Sequence, residues 1–325
     1  NAVIVTNTIL GGASALLKNS TLITRTDEFS EMAGDVSVTA DNLAFILAEV
    51  NSSVKASTSV GVVLAFNTIG YAPQNLLYNI VDGVLGTSLA GQDKLNTIAR
   101  IENTPLELSG SLSVAATSDG QIQALIINSA LALDVSTKAD SKAITVAPVI
   151  AMNKIATNTE ASVDSSASIA VEGDIVVDAK GNTRIESEVA ASAIGISAST
   201  TGAAKSVSVG VSLTRNDVQS DVSAFIRGLS LATPAEVTSA SGNIQILTER
   251  GSAIVANGRA TAVAVAASMA GGATAVSGAG TLALNRITGT AQAYAQWANL
   301  VTEAEADEVV AILVPLIKTF LAEQA

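Results

Sequence analysis

Histidine and cysteine carry much of the chemistry that side chains perform, and this sequence of 325 residues contains neither. Their absence removes the commonest general base and nitrogen metal ligand, and with them any thiolate site or disulfide. What remains is carboxylate: 29 Asp and Glu against 17 Lys and Arg, for a net charge of −12. Carboxylates alone can cleave acidic polysaccharides, but such sites need a basic cluster to hold the substrate, often with calcium. Here the basic residues are scattered. Arg184, Glu186 and Glu188 alternate along one strand face and read as a solvated face. Asp134, Asp140, Asp164 and Asp174 fall near expected corners and are the candidate calcium ligands, although neither an EF-hand loop nor a glycine-rich nonapeptide array is present. No grouping of nucleophile, base and oxyanion donors emerges. The expectation is a chain with no catalytic residues and no cofactor. Aromatics make up 3% of the residues, and Tyr294 and Trp297 are the exposed candidates for a glycan or partner surface. The acidic balance argues against nucleic acid and against attraction to anionic lipid.

The elements that position these residues come from internal repetition. An Asn followed by an apolar residue two positions on recurs at Asn7, Asn67, Asn153, Asn216 and Asn285, spaced by 60, 86, 63 and 69 residues. Between these anchors lies a Gly followed by alternating apolar residues, at Gly34, Gly110, Gly173 and Gly242. From Gly to the next Asn is 43 residues in the last three copies and 33 in the first, so this part of the period is a unit of nearly fixed length. Within it Ile122, Ile185 and Ile254 align. So do Leu131, Ile194 and Val263; Leu133, Ile196 and Val265; Ile144, Val207 and Val276; and Ile150, Leu213 and Leu282. Neighbouring columns are two residues apart, the period of a strand.

The apolar 48% is mostly Ala and Val, which implies a thin core between closely spaced sheets. The expected fold is mainly β: a right-handed parallel β-solenoid over residues 1–300, with Asn anchors at equivalent corners and each repeat divided into about three coils. On that division the anchors stand too far apart to form one ladder. The alternative is an antiparallel array, with hairpins at the Gly-containing centres Thr200–Ala204 and Gly271–Ala273. Two helices are expected. One is an insert at 74–86, with Leu77, Ile80, Val81 and Val84 on one face. The other is a C-terminal amphipathic helix over 301–325, opened by a Thr302–Glu305 capping box and striped by Val309, Ile312, Leu313, Leu316 and Phe320. It would cap the β core or dock onto a neighbour.

The stretch Ala260–Asn285 has no charged residue and is long enough to span a bilayer as a helix. Its period-two alternation and its sister copies, which carry charges, assign it instead to the β unit. In that reading Val263, Val265, Val276 and Leu282 face the core, and Ala262 and Ala264 face outward. The chain is therefore not expected to be an integral membrane protein. The sequence opens on Asn1 with no signal-peptide pattern and reads as a processed product or fragment.

The strand Gly-Asp-Ile-Val-Val-Asp-Ala at 173–179 and the Val-Ala-Val-Ala run at 263–266 carry a resemblance. So do Leu282–Ile287 with Ala293-Tyr294-Ala295, and the insert QNLLYNIVDGVLG at 74–86. Together they resemble the repeat regions of very large secreted bacterial surface proteins, the filamentous-haemagglutinin-like and leukotoxin-type filamentous adhesins. The likeness extends over nearly all of the chain except its last 25 residues. It implies export, a β-helical stalk and a structural or adhesive role at the cell surface. Self-association or a surface glycan would supply the partners, and no catalytic motif comes with it.

Overall fold

The computed structural model describes residues 1–25, 34–71, 93–303 and 309–321, the last by backbone alone. The chain forms a parallel β-solenoid of five coils, each with a long front strand, a short base strand and a long back strand. Coil 1 is β1 (Ala2–Ile9), β2 (Ala13–Lys18), β3 (Leu22–Ile23) and β4 (Val36–Ala56). Coil 2 is β5 (Thr58–Val60), β6 (Val62–Ile69), β7 (Leu95–Glu102), β8 (Leu106–Leu108) and β9 (Leu112–Ser136). Coil 3 is β10 (Ser141–Asp164), β11 (Ser168–Val171) and β12 (Ile175–Ser199); coil 4 is β13 (Ala204–Arg227), β14 (Ala235–Ser239) and β15 (Ile244–Ser268). Coil 5 is β16 (Ala273–Thr288), β17 (Ala291–Gln296), β18 (Ala298–Thr302) and β19 (Val309–Leu321).

The back strands stack in the order β19-β15-β12-β9-β4 and the base strands as β18-β14-β11-β8-β3. The front strands stack through β1-β6-β10-β13-β16. Every ladder between named strands is parallel. The hairpin alternative is thereby overturned. Thr200–Ala204 and Gly271–Ala273 lie where a back strand turns into the front strand of the next coil, and those two strands each pair with other coils.

One repeat is one coil, a correction to the expected division into three. Strands of 24 and 25 residues absorb the period, far beyond the usual five or six. The constant 43-residue unit is a back strand, its tip and the front strand as far as the Asn. The first unit is ten residues shorter because its tip is missing. Ala56 pairs with Ala132 and Thr58 with Ile144, so coil 1 turns back where coil 2 is still running outward. The second period is long because residues 70–94 intervene between Ile69 and Leu95, whose partners Ile155 and Thr157 are next but one in β10. The helical insert expected at 74–86 falls in that interval and lies outside the described residues. The helix expected over 301–325 is corrected at 309–321, which runs as strand β19 in register with β15, Val309 opposite Ile244 and Leu321 opposite Ala256. Adding a strand to an open sheet edge satisfies backbone groups on both strands, and this overrides the helical spacing of its apolar residues.

The core changes character across the coil. Near the base it is built from Val, Ile and Leu, among them Leu112, Ile175 and Ile244. Mid-strand it holds Ile122, Ile155, Ile185 and Ile254. Toward the tip it is reduced to Ala130, Ala147 and Ala193, with Ala262 packed alongside. The reason is geometric: a short turn joins the two faces at the tip, so the sheets converge. The Ser208 hydroxyl in the front face donates directly to the Val263 carbonyl in the back face at 2.7 Å, and Thr145 donates to the Ile194 carbonyl at 3.1 Å. A Cβ on Gly195 would stand 2.7 Å from the hydroxyls of Ser206 and Ser208.

Convergence inverts part of the sequence reading. The columns through Leu131, Leu133, Ile144 and Ile150 do stack in register as aligned. They point outward, however. Val263, Val265, Val276 and Leu282 are 43%, 47%, 55% and 52% exposed, while Ala262 and Ala264 belong to the inner face. Only small side chains fit between the sheets there, so the larger ones occupy the outside.

Candidate functional site

The Asn anchors sit in mid-strand, not at corners, and they form one unbroken ladder through all five coils. Asn7 is opposite Asn67, Asn67 opposite Asn153, Asn153 opposite Asn216 and Asn216 opposite Asn285. Each Nδ2 donates to the Oδ1 of the next coil: Asn7 to Asn67, Asn67 to Asn153, Asn153 to Asn216 and Asn216 to Asn285, all at 2.8 Å. Asn67, Asn153 and Asn216 are fully buried. The parallel strand spacing of about 4.8 Å is the distance an amide stack needs, so in-register pairing creates the ladder without strain. Asn153 also donates to Ser187 across the core at 3.2 Å, tying the front face to the back. The ladder has direction. Its donor end is the Nδ2 of Asn285, which is buried and unpartnered. Its acceptor end is the Oδ1 of Asn7.

The Gly anchors mark the corner from base to back strand. A Cβ on Gly242 would lie 2.5 Å from the Gly173 carbonyl carbon, one on Gly173 would lie 2.4 Å from the Ser111 hydroxyl, and one on Gly110 would lie 2.7 Å from the carbonyl carbon of Gly34. Close approach of the neighbouring coil requires Gly here. The residue after each Gly braces the corner: Asp35 accepts from the Ser111 amide at 2.7 Å, Ser111 from the Asp174 amide at 3.2 Å, and Asp174 from the Asn243 amide at 2.8 Å.

The candidate calcium ligands are divided between the two ends of the coil. Asp134 and Asp140 brace tip turns, accepting from the amides of Lys142 at 2.6 Å and Ala203 at 2.8 Å. Asp164 pairs with Arg227 near the base at 2.5 Å, and Asp174 is the corner brace above. Among the described residues no three carboxylates are grouped to hold a metal ion. Arg184 and Glu186 form an ion pair on the exposed back face.

Polar groups that sequence spacing does not reveal come together across coils. Asp221 in β13 accepts from Lys94 at 2.5 Å and from both the amide and the hydroxyl of Thr290, joining coils 2, 4 and 5. Burial alone would raise its pKa, but the Lys94 and Thr290 hydrogen bonds outweigh that and hold it below the ordinary carboxylate value. Arg250 points into the core of coil 4 and donates to the Thr288 carbonyl at 2.7 Å; burial lowers its pKa. Arg215 and Asp217 pair at 2.8 Å, both 5% exposed, and Arg286 reaches Asp217 from coil 5 at 3.2 Å. None of these pairs is close in sequence except Arg215 with Asp217; the stacking of coils brings together the groups around Asp221 and Asp217, and Arg250 reaches across the core from the back sheet to the front.

Tyr294 stacks on Phe225 of the preceding coil, ring centroids 5.1 Å apart and 13° from parallel, with the Arg227 guanidinium 4.9 Å from the Phe225 centroid. Burial raises the Tyr294 pKa. Tyr294, expected as an exposed candidate, is thus half-buried against the preceding coil. Trp297 is 42% exposed and takes a left-handed φ of 51°, a conformation few residues with a Cβ adopt. The side chains of Val309, Leu313 and Phe320 lie outside the described residues; their backbones belong to β19. No helix among the described residues is long and apolar enough to cross a membrane, and Ala260–Asn285 forms the ends of β15 and β16 with the turn between them.

Comparison of the chain with known protein families, with curated proteins and with solved structures finds no match.

Proposed function

We propose that this chain is a structural segment of an extracellular bacterial fibre or giant surface protein, serving adhesion as a stiff, self-associating scaffold. The observation that supports it is the Asn ladder, which runs through all five coils in step with three continuous parallel sheets. Such a stack resists bending and shear because neighbouring coils are held by backbone hydrogen bonds and by buried side-chain amides at once. The sequence resemblance to filamentous adhesins points the same way. Negative-stain microscopy of the purified chain tests the reading: elongated stacks are expected, and monodisperse single particles at all concentrations sink it.

A second reading, carbohydrate binding, draws on a shallow hollow of about 580 Å³ at the end of the stack, lined by Tyr294 between Gln292 and Gln296. An aromatic face flanked by amides suits a sugar ring. Binding on a glycan array that disappears in Tyr294→Ala and Trp297→Ala variants would favour it over the scaffold reading.

A further inference from the structure

We infer that the partner is a second copy of this chain, stacked with its coil 1 on coil 5 so that Asn285 donates to Asn7 of the next molecule. The inference rests on the scaffold reading and specifies its joint. Three observations carry it.

The first is the ladder itself: it ends on a buried, unpartnered Nδ2 at Asn285, and it begins at Asn7, whose Oδ1 accepts from no other rung. A buried amide N–H without an acceptor is costly, and the missing acceptor has the geometry of one more Asn at the same register.

The second is side-chain complementarity once the ladder is continued. The register that places Asn7 after Asn285 places Ile4 after Leu282, Leu16 after Tyr294 and Ile23 after Val301. Ile4, Leu282, Leu16, Ile23 and Val301 are between 45% and 53% exposed. Each meets an apolar partner, and Leu16 covers the open face of the Phe225–Tyr294 stack.

The third is the absence of guarding charge on the edges that would meet. β16, β17 and β18 carry Arg286 alone, and β1, β2 and β3 carry Lys18 alone. In the continued register Arg286 stands opposite Thr8 and Lys18 opposite Gln296, so no like charges meet. Free strand edges are ordinarily blunted by charge, proline or a bulge. On the back face Pro315 in β19 removes one donor, so the front face and base carry the joint.

The chain has no cysteine, which makes the test direct. In the double variant Ile4→Cys/Leu282→Cys both thiols sit on exposed positions, about one strand spacing apart across the joint and within disulfide reach. Mild oxidation of the full chain should give a ladder of covalent multimers on non-reducing electrophoresis, collapsing to monomer with reductant. The off-register pair Ile4→Cys/Val276→Cys, displaced along the strand by roughly 20 Å, should give none. Chains that associate in sedimentation but cross-link through neither pair, or equally through both, overturn the registered joint and leave the scaffold reading standing. Chains that remain monomeric in sedimentation overturn both.

Discussion

At the scale of single residues, the interior amides hold coils together more strongly than the charges do. Asn153→Ala removes an acceptor from Asn67 and a donor from Asn216 inside a fully buried column. Each orphaned group costs about 1–3 kcal/mol, so the variant should lose about 2–6 kcal/mol in urea unfolding. Asn7→Ala, at the half-buried start of the ladder, should lose about 1 kcal/mol; equal losses at the two positions would show that the ladder is not a buried unit. Asp221 supplies the pH dependence. Its folded pKa is depressed, so its contribution is present above its ordinary pKa of 3.8 and is lost as pH falls through the lower folded value. Being partly open to solvent, the pair with Lys94 is worth about 1 kcal/mol or less. Asp221→Asn should therefore lower the urea midpoint at neutral pH, with the difference from the parent chain vanishing in strong acid.

At the scale of strands, the same side-chain type does different work according to its distance from the tip. Ile185 and Ile196 lie on one strand, the first fully buried at mid-strand and the second 36% exposed on the outer face. Ile185→Ala should cost about 2–5 kcal/mol, whereas Ile196→Ala should cost well under half of that. Comparable losses would restore the reading in which Ile196 faces the core. Gly195→Val tests convergence of the sheets from the inside. With its Cβ forced against Ser206 and Ser208, it should destabilise by about 1–3 kcal/mol and raise hydrogen exchange in the β12 and β13 segments next to the tip. The alternation of these strands was legible from their residues, as were the aligned columns. Which face was inside was not, because period two marks two faces equally and the opposing sheet decides between them. The C-terminal segment shows the same limit. Val309, Ile312, Leu313 and Leu316 satisfy a helical spacing, yet an apolar run of that length also serves as a strand when an open edge such as β15 is beside it.

At the scale of the whole molecule, one repeat per coil makes the chain wide and short. Five coils at about 4.8 Å rise by roughly 24 Å, while strands of 24 or 25 residues extend about 80 Å. The five coils thus form a slab, and under the proposed joint a fibre grows by stacking such slabs end on end. Assembled material should give a meridional diffraction spacing of about 4.8 Å and grow in axial steps of roughly 24 Å. Growth in steps of about 80 Å would instead mean that the slabs join side to side.

What the sequence determined by itself is the repeat: five Asn, four Gly and strand-period columns between them, with a composition of small and β-branched residues that admits little but thin, closely spaced sheets. Backbone hydrogen bonding demands that identical units stack in register, so the aligned columns became the physical columns, Asn on Asn. The tertiary structure decided everything that depends on distance across the coil. Strand length set one coil per repeat and closed the Asn residues into a ladder. Convergence at the tip exchanged Ala for Val, Ile and Leu as the inward residues. Stacking, with the reach of a lysine side chain, brought Asp221, Lys94 and Thr290 to one point, because it sets coils a strand spacing apart whatever the separation of their residues along the chain.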